Sequence, residues 1–239
     1  MAHKWLKYSY AAQKDQHHRI RGWMILVVGF LLFYTLLSTF FFSTGVLENE
    51  TMLPGLRRGD RFIFLSCFIY RILPGSAAAG GLRRGNIVLV DIGGGRNQQV
   101  LVSLADTLVR FFTAQRVSIA GREKHHFIKR IIALPGDEVS MTKFVLRVRP
   151  GDSSYSLTEF EIIDKPYNVT IPQNPALWDE SLPFSGDMEP LVLGEDEYFV
   201  LSDDRSNTND SRTWGAIPID FIEGKALFRY WPATRLGLP

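Results

Sequence analysis

One uncharged stretch constrains this chain more than any other feature. WMILVVGFLLFYTLLSTFFF, from Trp23 to Phe42, carries no Asp, Glu, Lys or Arg over about 20 residues, the length that crosses a hydrocarbon core roughly 30 Å thick at about 1.5 Å of rise per residue. A soluble buried helix is seldom uncharged over that length. A cleaved secretory leader would be shorter and end in a small-x-small site, whereas VLENE follows. The run therefore predicts a transmembrane helix over 23–42. Lys4, Lys7, Lys14, Arg19 and Arg21 precede it against the single acid Asp15, while Glu48 and Glu50 follow it with no base before Arg57. Positive charge marks the cytoplasmic side. This places residues 1–22 in the cytoplasm and everything after Phe42 on the exoplasmic side of the membrane.

The remainder reads as mostly β. RFIFLSCFIY, NIVLVDI, HHFIKRIIAL, YFVLSD and KALFRYW are short runs of β-branched and aromatic residues punctuated by Gly, Pro and Asp. They predict an antiparallel β catalytic domain over 43–146 and 194–239. Residues 147–193, rich in prolines and acids, form a small inserted β subdomain. RFIFLSCFIY is expected to rest against lipid. SLADTLVRFFTAQ, 103–115, has Leu104, Leu108 and Phe111 at helical spacing and predicts a packing helix. GLRRG occurs twice, at 55–59 and 81–85, each time before a strand, and predicts two similar turns.

Composition excludes several functions. A net charge of +2 is too small for a nucleic-acid binder. Cys67 is the only cysteine, which rules out an internal disulfide and a cysteine-based metal site. DDRSNTND lacks the glycine a calcium loop needs for its turn, and His125 and His126 lack a third ligand at metal spacing. Neither a metal nor a cofactor is expected. No nucleophile-elbow motif supports a Ser–His–Asp triad.

Three separated stretches suggest chemistry: TMLPGLRRGD from Thr51, FIKRIIALPGDEV from Phe127, and LSDDRSNTNDSRTWGAIP from Leu201. In a strand Phe127, Lys129 and Ile131 share one face while Arg130 faces the other way. Lys129 thus lies between apolar neighbours, where desolvation favours the neutral amine that a general base must be. Arg130 cannot substitute, because a guanidinium does not release its proton.

In order and in position after the apolar run, these stretches resemble the motifs of the bacterial type I signal peptidases, membrane-anchored proteases with a Ser–Lys dyad. The resemblance runs from about Trp23 to the end and is weakest between Leu146 and Leu193. It implies an endopeptidase that removes N-terminal signal peptides from exported preproteins, with small residues preferred at positions −1 and −3. It puts the nucleophile on Thr51, where the family has serine, and the general base on Lys129. Asn49 and the Thr51 N–H then hold the oxyanion, Thr208 orients the lysine, and Asp210 with Arg212 braces the site. Leu47, Met52, Phe127 and Ile128 are expected to wall the substrate pocket. The chain departs from the family at Glu50 and Ser202, both glycine there, and Glu50 is expected to face solvent. Implied partners are signal peptides, the lipid bilayer and the export translocon. The Thr51 methyl stiffens the side chain beside the scissile carbonyl, so a second reading stays open: an inactive homologue that binds signal peptides or export machinery without cutting.

Overall fold

The computed structural model describes residues 10–67, 81–92, 126–172 and 186–239, with side chains in the first helix described from 19 to 34. The chain falls into two units, whose described parts are that helix in one and everything from Phe41 onward in the other.

The helix, α1, runs from Tyr10 to Phe40. It begins well before the apolar run, because QKDQHHRIR contains no proline or glycine to stop it. It also ends earlier than expected: Phe42 opens strand β1 (Phe42–Val46). Between Arg19 and Tyr34 the large apolar side chains other than the half-buried Leu31 are exposed, Trp23 at 70% and Phe30 at 66%. Among the described residues no helix is long and apolar enough to cross a membrane. Part of the run 23–42 lies outside the described side chains, and the helix expected at 103–115 lies wholly outside the described residues.

The second unit is antiparallel β, as its β-branched and aromatic runs predicted. One sheet contains β1, β2 (Arg61–Ser66), β3 (Ile87–Asp91), β4 (His126–Ala133), β9 (Glu197–Leu201), β10 (Ile217–Pro218) and β11 (Ile222–Trp231). Their order across the sheet is β1-β2-β11-β3-β4-β9-β10. A smaller sheet has β5 (Glu138–Thr142), β6 (Val145–Arg149), β7 (Leu157–Thr158) and β8 (Met188–Val192) in the order β7-β6-β5-β8. It begins at Glu138, ahead of the boundary expected at residue 147, because β5 and β6 form a tight hairpin with Lys143 and Phe144 at positive φ.

Strand β4 is the keystone of the large sheet. It pairs with β3 on one side and β9 on the other, and from Ile128 to Ala133 every residue is buried. Apolar clusters lie on both sides: Val88, Val90, Ile131, Val200 and Ile222 in one, Leu47, Met52, Phe62, Phe64, Leu89 and Ile128 in another. Phe62 and Phe64 of β2 are fully buried in that second cluster, so this strand gives its aromatic rings to the core rather than to lipid.

The repeated GLRRG is one turn used twice. Asp60 N–H donates to Arg57 O and the Asp60 carboxylate accepts from Arg57 N–H at 3.0 Å; Asn86 and Arg83 make the same pair of contacts, the return bond at 2.9 Å. Gly59 and Gly85 close the turns at φ 89° and 84°, in the left-handed region that glycine enters without strain. Each turn then feeds a strand, β2 or β3.

Candidate active site

The Thr51 loop spans the gap between β1 and β2. Its ends are tied where Leu47 N–H donates to Asp60 O at 2.9 Å and Gly59 N–H donates to Leu47 O at 2.8 Å. Thr51 is 6% exposed, at the edge of an open cleft of about 540 Å³ lined by Glu48, Asn49, Glu50, Arg58, Asp204, Ser206 and Asn207 as well. Asn49 and Glu50 are exposed. Among the described residues only Lys143 and Phe144 are non-glycines at positive φ, so Glu50 occupies the glycine position of the family without left-handed strain.

Lys129, in the middle of β4, is 0% exposed. Its Nζ lies 5.8 Å from the centre of the Phe127 ring and 5.7 Å from that of Trp214, and the two rings pack together at 5.2 Å. Burial lowers the pKa of the amine to about 8, opposed in part by the negative charge of Asp210. A Lys in that state is neutral often enough near neutral pH to accept a proton.

The loop after β9 brings the remaining groups together. Lys129 Nζ donates to Ser202 Oγ at 2.8 Å. Ser202 N–H donates to Asp210 Oδ2 at 2.9 Å, and Arg212 grips the same carboxylate through Nε at 2.9 Å and Nη2 at 2.8 Å. Burial alone would raise the Asp210 pKa, but hydrogen bonds and charge from Arg212, with the Ser202 N–H, hold it below the usual range. The loop is also stitched to both flanks. Asp204 N–H donates to Thr51 O at 3.0 Å, while Thr170 N–H donates to Asp203 O and Arg205 N–H to Thr170 O. The backbone of the nucleophile candidate is thereby fixed to the loop that carries the lysine's partner.

Several expected residues lie elsewhere. No hydrogen bond joins Thr51 to Lys129. The hydroxyl that meets Lys129 belongs to Ser202, which the sequence reading noted only as a departure. Thr208 enters the network through its carbonyl, which accepts from Asp210 N–H at 2.8 Å and from Thr213 Oγ1. The four pocket residues do not line the cleft beside Thr51: Leu47, Met52 and Ile128 are core residues, and Phe127 packs on Trp214. Their apolar character reflects the inner face of the sheet. His126 does have neighbours suited to a metal, contrary to expectation. Among the described residues Asp91, His126 and Glu223 hold their ligand atoms within 4.8 Å of one another, with His126 Nε2 2.9 Å from Glu223 Oε2. Those partners come from β3 and β11, so spacing around His126 does not reveal them. Trp214 was missed as well; its signal was its place inside the third stretch.

A buried amine among fixed dipoles, its partner's loop tied through the Asp204–Thr51 backbone bond to an open polar cleft with a hydroxyl at its edge, is an arrangement suited to hydroxyl-mediated acyl transfer. Comparison with known proteins places it within a family. The model for the family "Signal peptidase, peptidase S26" matches residues 20–231, and the chain belongs to that family. A probable signal peptidase I-1 of Synechocystis sp. is 28% identical over 210 residues, covering 87% of this chain and 80% of that protein. A probable signal peptidase I-2 of the same organism is 35% identical over 112 residues, but these cover only 47% of this chain and 41% of that protein. The thylakoidal processing peptidase 1 of Arabidopsis thaliana is 34% identical over 111 residues, covering 46% of this chain and 26% of that protein. A crystal structure of a signal peptidase I from Enterococcus faecalis is similar at 18% identity and a TM-score of 0.31, covering 60% of this chain and 95% of that one; so low a score carries no argument.

Proposed function

We propose that this protein is a membrane-anchored endopeptidase that removes N-terminal signal peptides from exported preproteins, with Thr51 as nucleophile and Lys129 as general base. One observation carries the reading: a lysine buried over a pair of packed aromatic rings, with its pKa brought down to about 8. Lys129 Nζ takes the proton of Thr51 Oγ1 as that oxygen attacks the scissile carbonyl carbon. The C–N bond breaks, and the new amine of the mature protein leaves with the proton from Lys129. Water then attacks the carbonyl carbon of the Thr51 ester, giving a proton to Lys129; the ester C–O bond breaks as Thr51 Oγ1 takes that proton back, and the released signal peptide ionises to a carboxylate. Asn49 and the Thr51 N–H face the developing oxyanion. Contacts of this kind are often long in a free enzyme and tighten with substrate, which accommodates the lack of a direct hydrogen bond between Thr51 and Lys129.

The anchor belongs to the same proposal. The uncharged run 23–42, the continuous helix Tyr10–Phe40 and its exposed apolar side chains support a single span, with the basic N-terminus in the cytoplasm and the β unit on the exoplasmic side. Signal peptides emerging from the bilayer, and the translocon that delivers them, would then meet the cleft.

The second reading, a homologue that binds signal peptides without cutting, draws on the missing hydrogen bond between Thr51 and Lys129. Cleavage of a preprotein whose signal ends in Ala-x-Ala separates the two, using full-length protein in detergent. Wild type is expected to cut at that site, Thr51→Ala to be silent and Thr51→Ser to cut at least as fast. Cutting by Thr51→Ala at the wild-type rate would remove Thr51 from the mechanism. Silence from wild type and Thr51→Ser alike would favour the binder.

The cleft also predicts a charge preference. Glu48, Glu50 and Asp204 line it against Arg58 alone. Exposed charge pairs contribute up to about 1 kcal/mol, roughly a fivefold effect, and salt screens them. A preprotein with Lys next to the cleavage site should have a kcat/KM about two- to fivefold above one with Glu there. The gap should close as salt is raised from 50 mM to 1 M, by about the loss of Debye range over that interval. Equal rates at low salt would show that these carboxylates do not face the substrate.

A further inference from the structure

Burial explains why Lys129 is deprotonated easily, but not what aims it. A lysine side chain has four rotatable bonds, and a general base must hold its lone pair toward one oxygen. The sheet supplies a candidate. β4 and β9 are antiparallel with Arg130 opposite Leu201. Continued by one residue, that register sets Ser202 opposite Lys129, and there the two side chains meet at 2.8 Å. Ser202 is 0% exposed, which excludes substrate from it and leaves its hydroxyl to the lysine.

Ser202 is itself immobilised. Its N–H is held by Asp210 Oδ2, Asp210 is gripped twice by Arg212, and Arg212 Nη1 donates in turn to Arg205 O at 2.9 Å. The chemistry of a hydroxyl suits the task. Its oxygen accepts an N–H from the ammonium and from the neutral amine alike, so one group holds the nitrogen in both protonation states and leaves the neutral amine's lone pair free for the nucleophile.

The geometry points to Ser202 as the positioning residue of the general base, resting on the reading of Lys129 as that base. It acts through Lys129 and does not touch substrate. The resemblance gave this task to Thr208. In this chain the lysine's hydroxyl partner stands instead at the first residue beyond β9, where the family has glycine.

The test is the pH dependence of preprotein cleavage by full-length wild type, Ser202→Ala, Ser202→Cys, Ser202→Thr and Lys129→Ala. Hydrogen bonds to a charged group are stronger than those to a neutral one. Removing the hydroxyl therefore favours the neutral amine, and the acid limb should move to lower pH by about half a unit to one unit. The plateau kcat should fall at least about tenfold as the amine loses its aim, with KM little changed. Ser202→Cys keeps nearly the same volume and accepts hydrogen bonds only weakly, so it should behave like Ser202→Ala if the latter folds poorly. Ser202→Thr keeps the hydroxyl and should restore the limb to its wild-type position. An unmoved limb in both Ser202→Ala and Ser202→Cys, with Lys129→Ala inactive, overturns the role of Ser202 and leaves the base reading intact. Wild-type cleavage by Lys129→Ala overturns both.

Discussion

Lys129→Met is expected to lower preprotein cleavage by at least about a thousandfold while leaving the protein folded. A general base contributes about 10²–10⁴ in rate, and a nucleophile without its base loses more, because the two act as a unit. Methionine suits the site because the end of the lysine already lies over Phe127 and Trp214, and a thioether beside aromatic rings is favourable. Lys129→Arg should be as inactive as Lys129→Met despite its charge, since the guanidinium stays protonated throughout. The sign with pH follows from the same group. Only the neutral amine accepts a proton, so the wild-type rate should rise about tenfold per pH unit below about pH 8 and level off above it. Circular dichroism of each variant beside its cleavage rate checks the claim. A flat pH profile through this range, or a folded Lys129→Met that cuts normally, would show that the proton goes elsewhere.

The second large effect is on stability. Glu159, in the helical turn Glu159–Ile162, and Arg205, in the loop that follows β9, form an ion pair in which both side chains are 0% exposed. Glu159 also accepts from Leu146 N–H at 3.1 Å and from the Tyr167 hydroxyl, whereas Arg205 Nε and Nη1 have no hydrogen-bond partner. The pair anchors the loop of Ser202 and Asp210 to the small sheet. Removing one partner leaves a buried charge alone, so Glu159→Leu and Arg205→Met should each cost about 3–5 kcal/mol. The double variant should recover most of that loss, because apolar groups of similar volume often replace a buried pair without penalty. Denaturant midpoints for the two single variants and the double variant measure this directly. Additive losses in the double variant would mean that the two charges are not coupled.

Much of the site was legible because strands alternate with a period of two. Lys129 could be placed between Phe127 and Ile131 from spacing alone, and desolvation of its amine follows from that placement. Glu50 is exposed, as its charge beside an oxyanion led one to expect, yet it lines the cleft beside Thr51. The doubled GLRRG announced two equal turns, as an Asx side chain and a left-handed glycine act within a few residues.

What could not be read locally depended on which strands meet. Ser202 and Lys129 lie 73 residues apart, and their contact exists because β9 pairs with β4 in one register. Asp91, His126 and Glu223 converge from three strands for the same reason, and Glu223 sits where β11 shifts its register against β3. The apolar residues near Thr51 and Lys129 looked like pocket walls, yet Leu47, Met52 and Ile128 fill the core, since hydrophobicity marks burial without saying whether protein or substrate provides it. The sequence by itself determined the helix-forming apolar N-terminal run, the β class, the family and the burial of Lys129. Tertiary structure alone decided the partner of that lysine and the lining of the cleft, because register and sheet order are set by long-range burial that no local pattern contains.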